Sequence, residues 1–180
     1  MIKNDIARKD GIILIILGID PGYAIVGYGV IKYEGNRFKT LDYGAVTTPA
    51  GMPFCDRLSL IFDGMNDIFA KHKIDAMSIE KLYFNTNTTT AIDVAQARGV
   101  IMLSAVKNNV AAYEYTPLQV KQSVTGYGRA EKKQIMEMTR IILGLEKVPK
   151  PDDTADALAL AVCHAHWSGS LTGRLTLGGR

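Results

Sequence analysis

Cysteine is almost missing from this chain: Cys55 and Cys163 are the only two in 180 residues, far apart and at no metal-ligand spacing. That excludes a disulfide scaffold or a cysteine-rich zinc site, and it suits two free, buried thiols in a reducing cytosol. An excess of one charge is missing too. Against 21 Lys and Arg stand 18 Asp and Glu, and the net charge of +3 permits a polyanionic partner without announcing one. No apolar run approaches the roughly 20 residues of a membrane crossing. Lys3, Arg8 and Lys9 imitate the front of a secretory signal, but Asp5 and Asp10 interrupt it, Asp20 closes the apolar run, and no small-x-small cleavage site follows. A cytoplasmic protein is expected. Internal repeats and long low-complexity tracts are absent. Histidine is scarce, and His164 and His166 stand about 200° apart on a helix, so they cannot ligate one ion together.

What is present is a chain 47% hydrophobic, long enough for a single domain with a full core. Leu14 to Asp20 is continuous apolar up to its last residue, as in a central strand covered on both faces. After the Pro21-Gly22 turn, Ile25 to Lys32 and Arg37 to Val46 read as two further strands around a Gly35-Asn36 turn. Phe54 to His72 has helical spacing, and Ile74 to Glu80 is a strand paired in parallel with the first. A helix from Ala91 to Asn108, a strand from Ala111 to Tyr115, and helices over Leu118–Val124, Ala130–Leu143 and Asp152–Trp167 complete the order. Residues 1–13 read as an extension and 168–180 as a frayed tail. The order predicts an α/β domain with a mixed five-stranded sheet flanked by helices, the RNase H-like fold.

Asp20 then poses a question, because a carboxylate at the mouth of an apolar strand needs a partner, a proton or a cation. Parallel pairing puts Glu80 at the same sheet edge, with strands roughly 5 Å apart. Asp153 and Asp156, at i, i+3 on the last helix, share one face, with Asp152 a lesser candidate. Asp20 could instead cap its own turn, Glu80 could pair with Lys81, and Asp152 or Asp153 could be a helix N-cap. Capping does not explain Asp156, because the helix beyond it is apolar nearly all round. Converging hard carboxylates suit Mg²⁺, with Mn²⁺ as a substitute. Two such ions could activate water and steady the leaving oxygen of a phosphodiester.

Four blocks, "GIDPGYAIVGYGVI", "SIEKLYFNTNTTTAIDVAQARGVIM", "YTPLQVKQSVTGYGRAEKKQI" and "DDTADALALAVCHAH", resemble in content and order those of the RuvC Holliday-junction resolvases, over about residues 18–167. The resemblance implies a homodimeric, Mg²⁺-dependent endonuclease that nicks two opposed strands of a four-way DNA junction and acts with the RuvA and RuvB branch-migration proteins. It carries the family's acidic set onto Asp20, Glu80, Asp153 and Asp156. It carries the ring that stacks on bases at the junction centre onto Tyr83, with Phe84 directly after it. It carries two family lysines onto Lys121 and Lys132, where they would neutralise charge near the scissile phosphate or bind the backbone.

Arg129 and Lys133 read as general phosphate contacts, and Arg98 as either a DNA contact or half of a structural ion pair. The "NTNTTT" tract could donate hydrogen bonds to phosphates at a helix start. The rival to an enzyme is a module that binds the junction without cutting it. A pure binder has no use for clustered acids facing a phosphate backbone. An actin-like ATPase would need a longer, two-domain chain.

Overall fold

The computed structural model describes residues 13–82 and 88–169. In chain order it contains β1 (Ile13–Asp20), β2 (Ile25–Glu34), β3 (Arg37–Thr47), α1 (Phe54–Lys71), β4 (Ala76–Glu80), α2 (Thr88–Lys107), β5 (Ala111–Tyr115), α3 (Pro117–Thr125), α4 (Lys132–Ile142) and α5 (Asp152–Gly169). The strands form one sheet of order β3-β2-β1-β4-β5. β1 is antiparallel to β2 and parallel to β4, and β5 joins parallel to β4. This is the mixed five-stranded sheet that the apolar runs and crossovers predict.

β1 is apolar on both sides because both are covered. Leu14 and Ile16 pack with Leu158 and Val162 of α5, while Leu17 and Ile19 face Ile61 and Met65 of α1 and Ile101 of α2. Side chains alternate across a strand, so Asp20 lies on the α5 face with Gly18 and Ile16. In β4, Met77 and Ile79 belong to the opposite core, which puts Glu80 on the α5 face too.

Glycine decides how near α5 comes. Gly18 pairs with Gly29 across β1 and β2, and Asp20 pairs with Gly27. A methyl group on Gly18 would lie 1.9 Å from the Ala157 carbonyl oxygen, one on Gly27 2.1 Å from that of Asp153, and one on Gly29 2.5 Å from Leu158 Cδ2. Here helix backbone rests almost directly on strand backbone.

Several boundaries differ from the sequence expectation. Ile13 already belongs to β1, and Ser168 is buried inside α5, where its hydroxyl donates to Ala165 O at 2.9 Å. α4 starts at Lys132, two residues beyond Ala130, because Glu131 is the N-cap and Gln134 Oε1 accepts from its N–H. β3 carries one extra residue against β2, between the partners of Val30 and Ile31. Cys163 is buried, but Cys55 is exposed, since it lies off the α1 stripe of Ile61, Met65, Ile68 and Phe69 that meets the sheet. Among the described residues no helix is long and apolar enough to cross a membrane.

Candidate active site

The C-terminal ends of β1 and β4 bring Asp20 and Glu80 to one edge of the sheet. Their strands run in register through Ile19 and Ile79, so the two acids occupy the next, neighbouring positions. Above them the first turns of α5 are pressed onto Gly27, the register partner of Asp20, with the Asp153 backbone as the contact. Asp156 follows one turn later and reaches the α4 side, where its Oδ2 accepts from Lys132 Nζ at 2.8 Å. Four acids from β1, β4 and α5 therefore meet across one corner of the molecule.

Their electrostatics shows how near they are. Burial, and then the charges of Asp156, Glu80 and Asp153, push the Asp20 carboxyl up to about 7, with Lys132 opposing. Glu80 is raised as well, by burial and then by Asp156, again against Lys132. The hydrogen bond to Asp156 raises Lys132 in turn. The Asp20 carboxyl makes no hydrogen bond among the described residues, so it does not cap the Pro21-Gly22 turn, and Glu80 is not paired with Lys81. Lys132 holds Asp156, and among the described residues no three acidic, histidine or cysteine side chains stand close enough to hold a metal ion as they are.

Asp152 and Asp153, indistinguishable in sequence, part company here. Asp152 is half-buried and bridges to Lys150 at 2.5 Å and Lys132 at 4.0 Å, and Lys150 holds its carboxyl below the usual range. Asp153 acts on Asp20.

Among the described residues, Lys132 is the one cation that bridges to a carboxylate of these four acids. Lys121 is half-buried on α3, with its carbonyl accepting from Thr125 Oγ1. Arg129 is exposed in the α3–α4 connection, and Lys133 lines a shallow groove with Thr125, Tyr127 and Glu137. Arg98 makes the structural ion pair: its guanidinium bonds to Glu114, and its Nε donates to the Glu80 carbonyl at 3.4 Å, tying α2 to β4 and β5. Tyr83 and Phe84 lie outside the described residues, as do Asn85–Asn87 of the polar tract.

His164 and His166 diverge. His164 is fully buried, its Nδ1 sharing a hydrogen bond with Tyr115 Oη at 2.7 Å and its ring 4.5 Å from that of Tyr113; burial lowers it to about 4. His166 sits beside Ser123 and edge-on to Phe38. The Tyr115–His164 pair, which fastens α5 to the strand beside Glu80, has no local sequence signal, because its partners are 49 residues apart.

Among known proteins, a family profile described as "Crossover junction endodeoxyribonuclease RuvC" matches residues 16–164. The crossover junction endodeoxyribonuclease RuvC of Clostridioides difficile (strain 630) is 60% identical over 153 residues, covering 85% of this chain and 90% of that protein. Its counterpart in Alkaliphilus metalliredigens is 59% identical over 153 residues, covering 85% of this chain and 93% of that protein. The structure of Thermus thermophilus RuvC in complex with Holliday junction substrate superposes with a TM-score of 0.81 at 31% identity, over 88% of this chain and 98% of that one. With the whole corner of Asp20, Glu80, Asp153 and Asp156 inside the matched span, the chain belongs to the RuvC family of crossover junction endodeoxyribonucleases.

Proposed function

We propose that this chain is a structure-selective endonuclease that resolves Holliday junctions by hydrolysing phosphodiesters, nicking two opposed strands symmetrically in recombination and DNA repair. The observation that carries the reading is the meeting of Asp20, Glu80, Asp153 and Asp156 at one sheet edge under a raised Asp20 pKa. A carboxylate that uncompensated calls for positive charge, and one lysine does not balance four acids. Hard oxygens in this number fit Mg²⁺, or Mn²⁺ in its place, two ions per site when DNA is bound. Held by these acids, such ions would neutralise the corner and make water a nucleophile at neutral pH.

The chain's own residues do the rest. Asp20 and Glu80, fixed by strand pairing, and Asp153 and Asp156, fixed by the glycine contacts of α5, form a rigid frame that orients the scissile phosphate. Lys132, bridged to Asp156, would offset charge that grows on the phosphoryl oxygens, and Lys121 would assist from α3. Arg129 and Lys133 bind backbone phosphates away from the cut. Tyr83 and Phe84, next along the chain from Glu80, are the candidates for stacking at the junction centre.

Two opposed cuts require two sites related by a two-fold axis, hence a homodimer. Its proposed interface is α2, where Ile92, Leu103 and Val106 are 67%, 50% and 68% exposed along one face and Gly99 leaves open space between them. The dimer works in the cytoplasm on junctions handled by RuvA and RuvB.

The test is a synthetic four-way junction incubated with Mg²⁺ and either the native chain or Asp20→Asn. Paired nicks at symmetry-related positions by the native chain alone are expected. Binding by both with nicking by neither would favour the non-catalytic junction-binding module.

A further inference from the structure

Arg57 and Tyr23 form a feature that the acidic corner does not use. The β1–β2 connection leaves the sheet directly after Asp20 and is pinned to the end of β3: Thr48 Oγ1 donates to Tyr23 O at 2.8 Å, and Thr48 N donates to Ala24 O at 2.9 Å. Thr48 is itself buried. The Tyr23 ring leans on Phe54, with centroids 6.2 Å apart, and Arg57 of α1 lies over the ring, the guanidinium carbon 5.5 Å from its centroid. Arg57 Nε donates to Met52 O at 3.2 Å. That carbonyl belongs to a short turn bracketed by Pro49 and Pro53, in which Gly51 takes the left-handed conformation, φ 79°.

One face of the guanidinium plane and its inner nitrogen are thus positioned, yet its two terminal nitrogens meet no carboxylate among the described residues. Arg98 and Arg140, by contrast, spend theirs on Glu114 and Glu137. A forked donor with a preset rotamer and an unclaimed end matches a phosphate. Its place matters as much. Tyr23 and Leu58 pack with the core on the α1 side of the sheet, whereas Lys132 approaches from the α5 side. Tyr23, the seat of Arg57, follows Asp20 by three residues, so the two cations flank the strand end from opposite sides of the sheet.

We propose that Arg57, held on Tyr23, grips a backbone phosphate of the same DNA strand that the acids cut, one flank away from Lys132. This rests on the nuclease reading above. A strand crossing the acidic edge must leave it over the α1 flank, and a fixed cation there offsets the repulsion that the corner imposes on a polyanion. It also sets how far the strand can slide before hydrolysis.

The test is the salt dependence of binding to a synthetic four-way junction, in EDTA so that nothing is cut, for the native chain, Arg57→Gln, Arg57→Lys and Tyr23→Leu. Losing one phosphate contact should flatten the slope of log Kobs against log salt by about 0.9 in Arg57→Gln. Arg57→Lys should keep the native slope, and Tyr23→Leu should keep it while weakening binding, because the charge stays but its seat is lost. A native slope in folded Arg57→Gln overturns the proposal. Should that variant not fold, phenylglyoxal labelling of the native chain decides: junction DNA must slow modification of Arg57, and an unchanged rate sinks it. Failure of the native chain to bind the junction at all would instead overturn the nuclease reading and this inference with it.

Discussion

Asp20 carries the sharpest consequence at the scale of single residues. Its folded value of about 7 stands above 3.8, so the folded chain holds the proton more tightly than the unfolded one. The stability Asp20 contributes is therefore complete below pH 3.8 and is lost as pH rises to about 7. His164 runs the other way: its folded value of about 4 lies under 6.5, so stability is lost as pH falls through that interval. The two partly cancel in the native chain, and a variant separates them. In EDTA, Asp20→Asn should match the native melting temperature near pH 4 and exceed it by a few degrees at pH 7.5, the gap levelling off above 7. Urea unfolding across the pH series checks it. Lys132→Met removes the cation that bridges to Asp156 and should slow cleavage about 100-fold, with a much smaller effect on junction binding, as single-turnover and binding assays would show. The acids themselves were legible, because a carboxylate ending an apolar strand, or set in an apolar helix, breaks its local pattern. Arg57 was not: nothing near it in the chain marks the stacking on Tyr23, which depends on the turn at Pro49–Pro53 folding back.

At the scale of elements, strand order and direction followed from apolar runs and from the helix between β1 and β4. The placement of α5 over the sheet did not follow as directly. Glycines in a strand usually read as weak points, and only the structure reveals Gly18, Gly27 and Gly29 as one continuous seat for a helix. Gly18→Ala should cost about 1 to 3 kcal/mol by overpacking, or more if the helix cannot shift, and should abolish cleavage even where the chain still folds. Denaturant midpoints and a cleavage assay on the same sample test both halves. The bulge in β3 was equally hidden, since its alternation through Leu41 looks regular in sequence, whereas pairing with β2 shows the extra residue.

For the whole molecule, assembly is the property that sequence could suggest without deciding, because an apolar stripe on a helix serves a core and a partner subunit alike. The exposure of Ile92, Leu103 and Val106 favours the partner. Leu103→Glu combined with Val106→Glu should yield monomers in sedimentation velocity and replace coordinated double incision of a junction with unpaired single nicks. The seam beneath α5 has one more consequence. Since main-chain atoms touch there, the gap between helix and strands is locked against change in surface loops, termini or the subunit contact. In the proposed nuclease, a change of ion preference would then have to come from side-chain reach, a Glu exchanged for an Asp or the reverse, while the chassis that carries those acids stays at a fixed gauge.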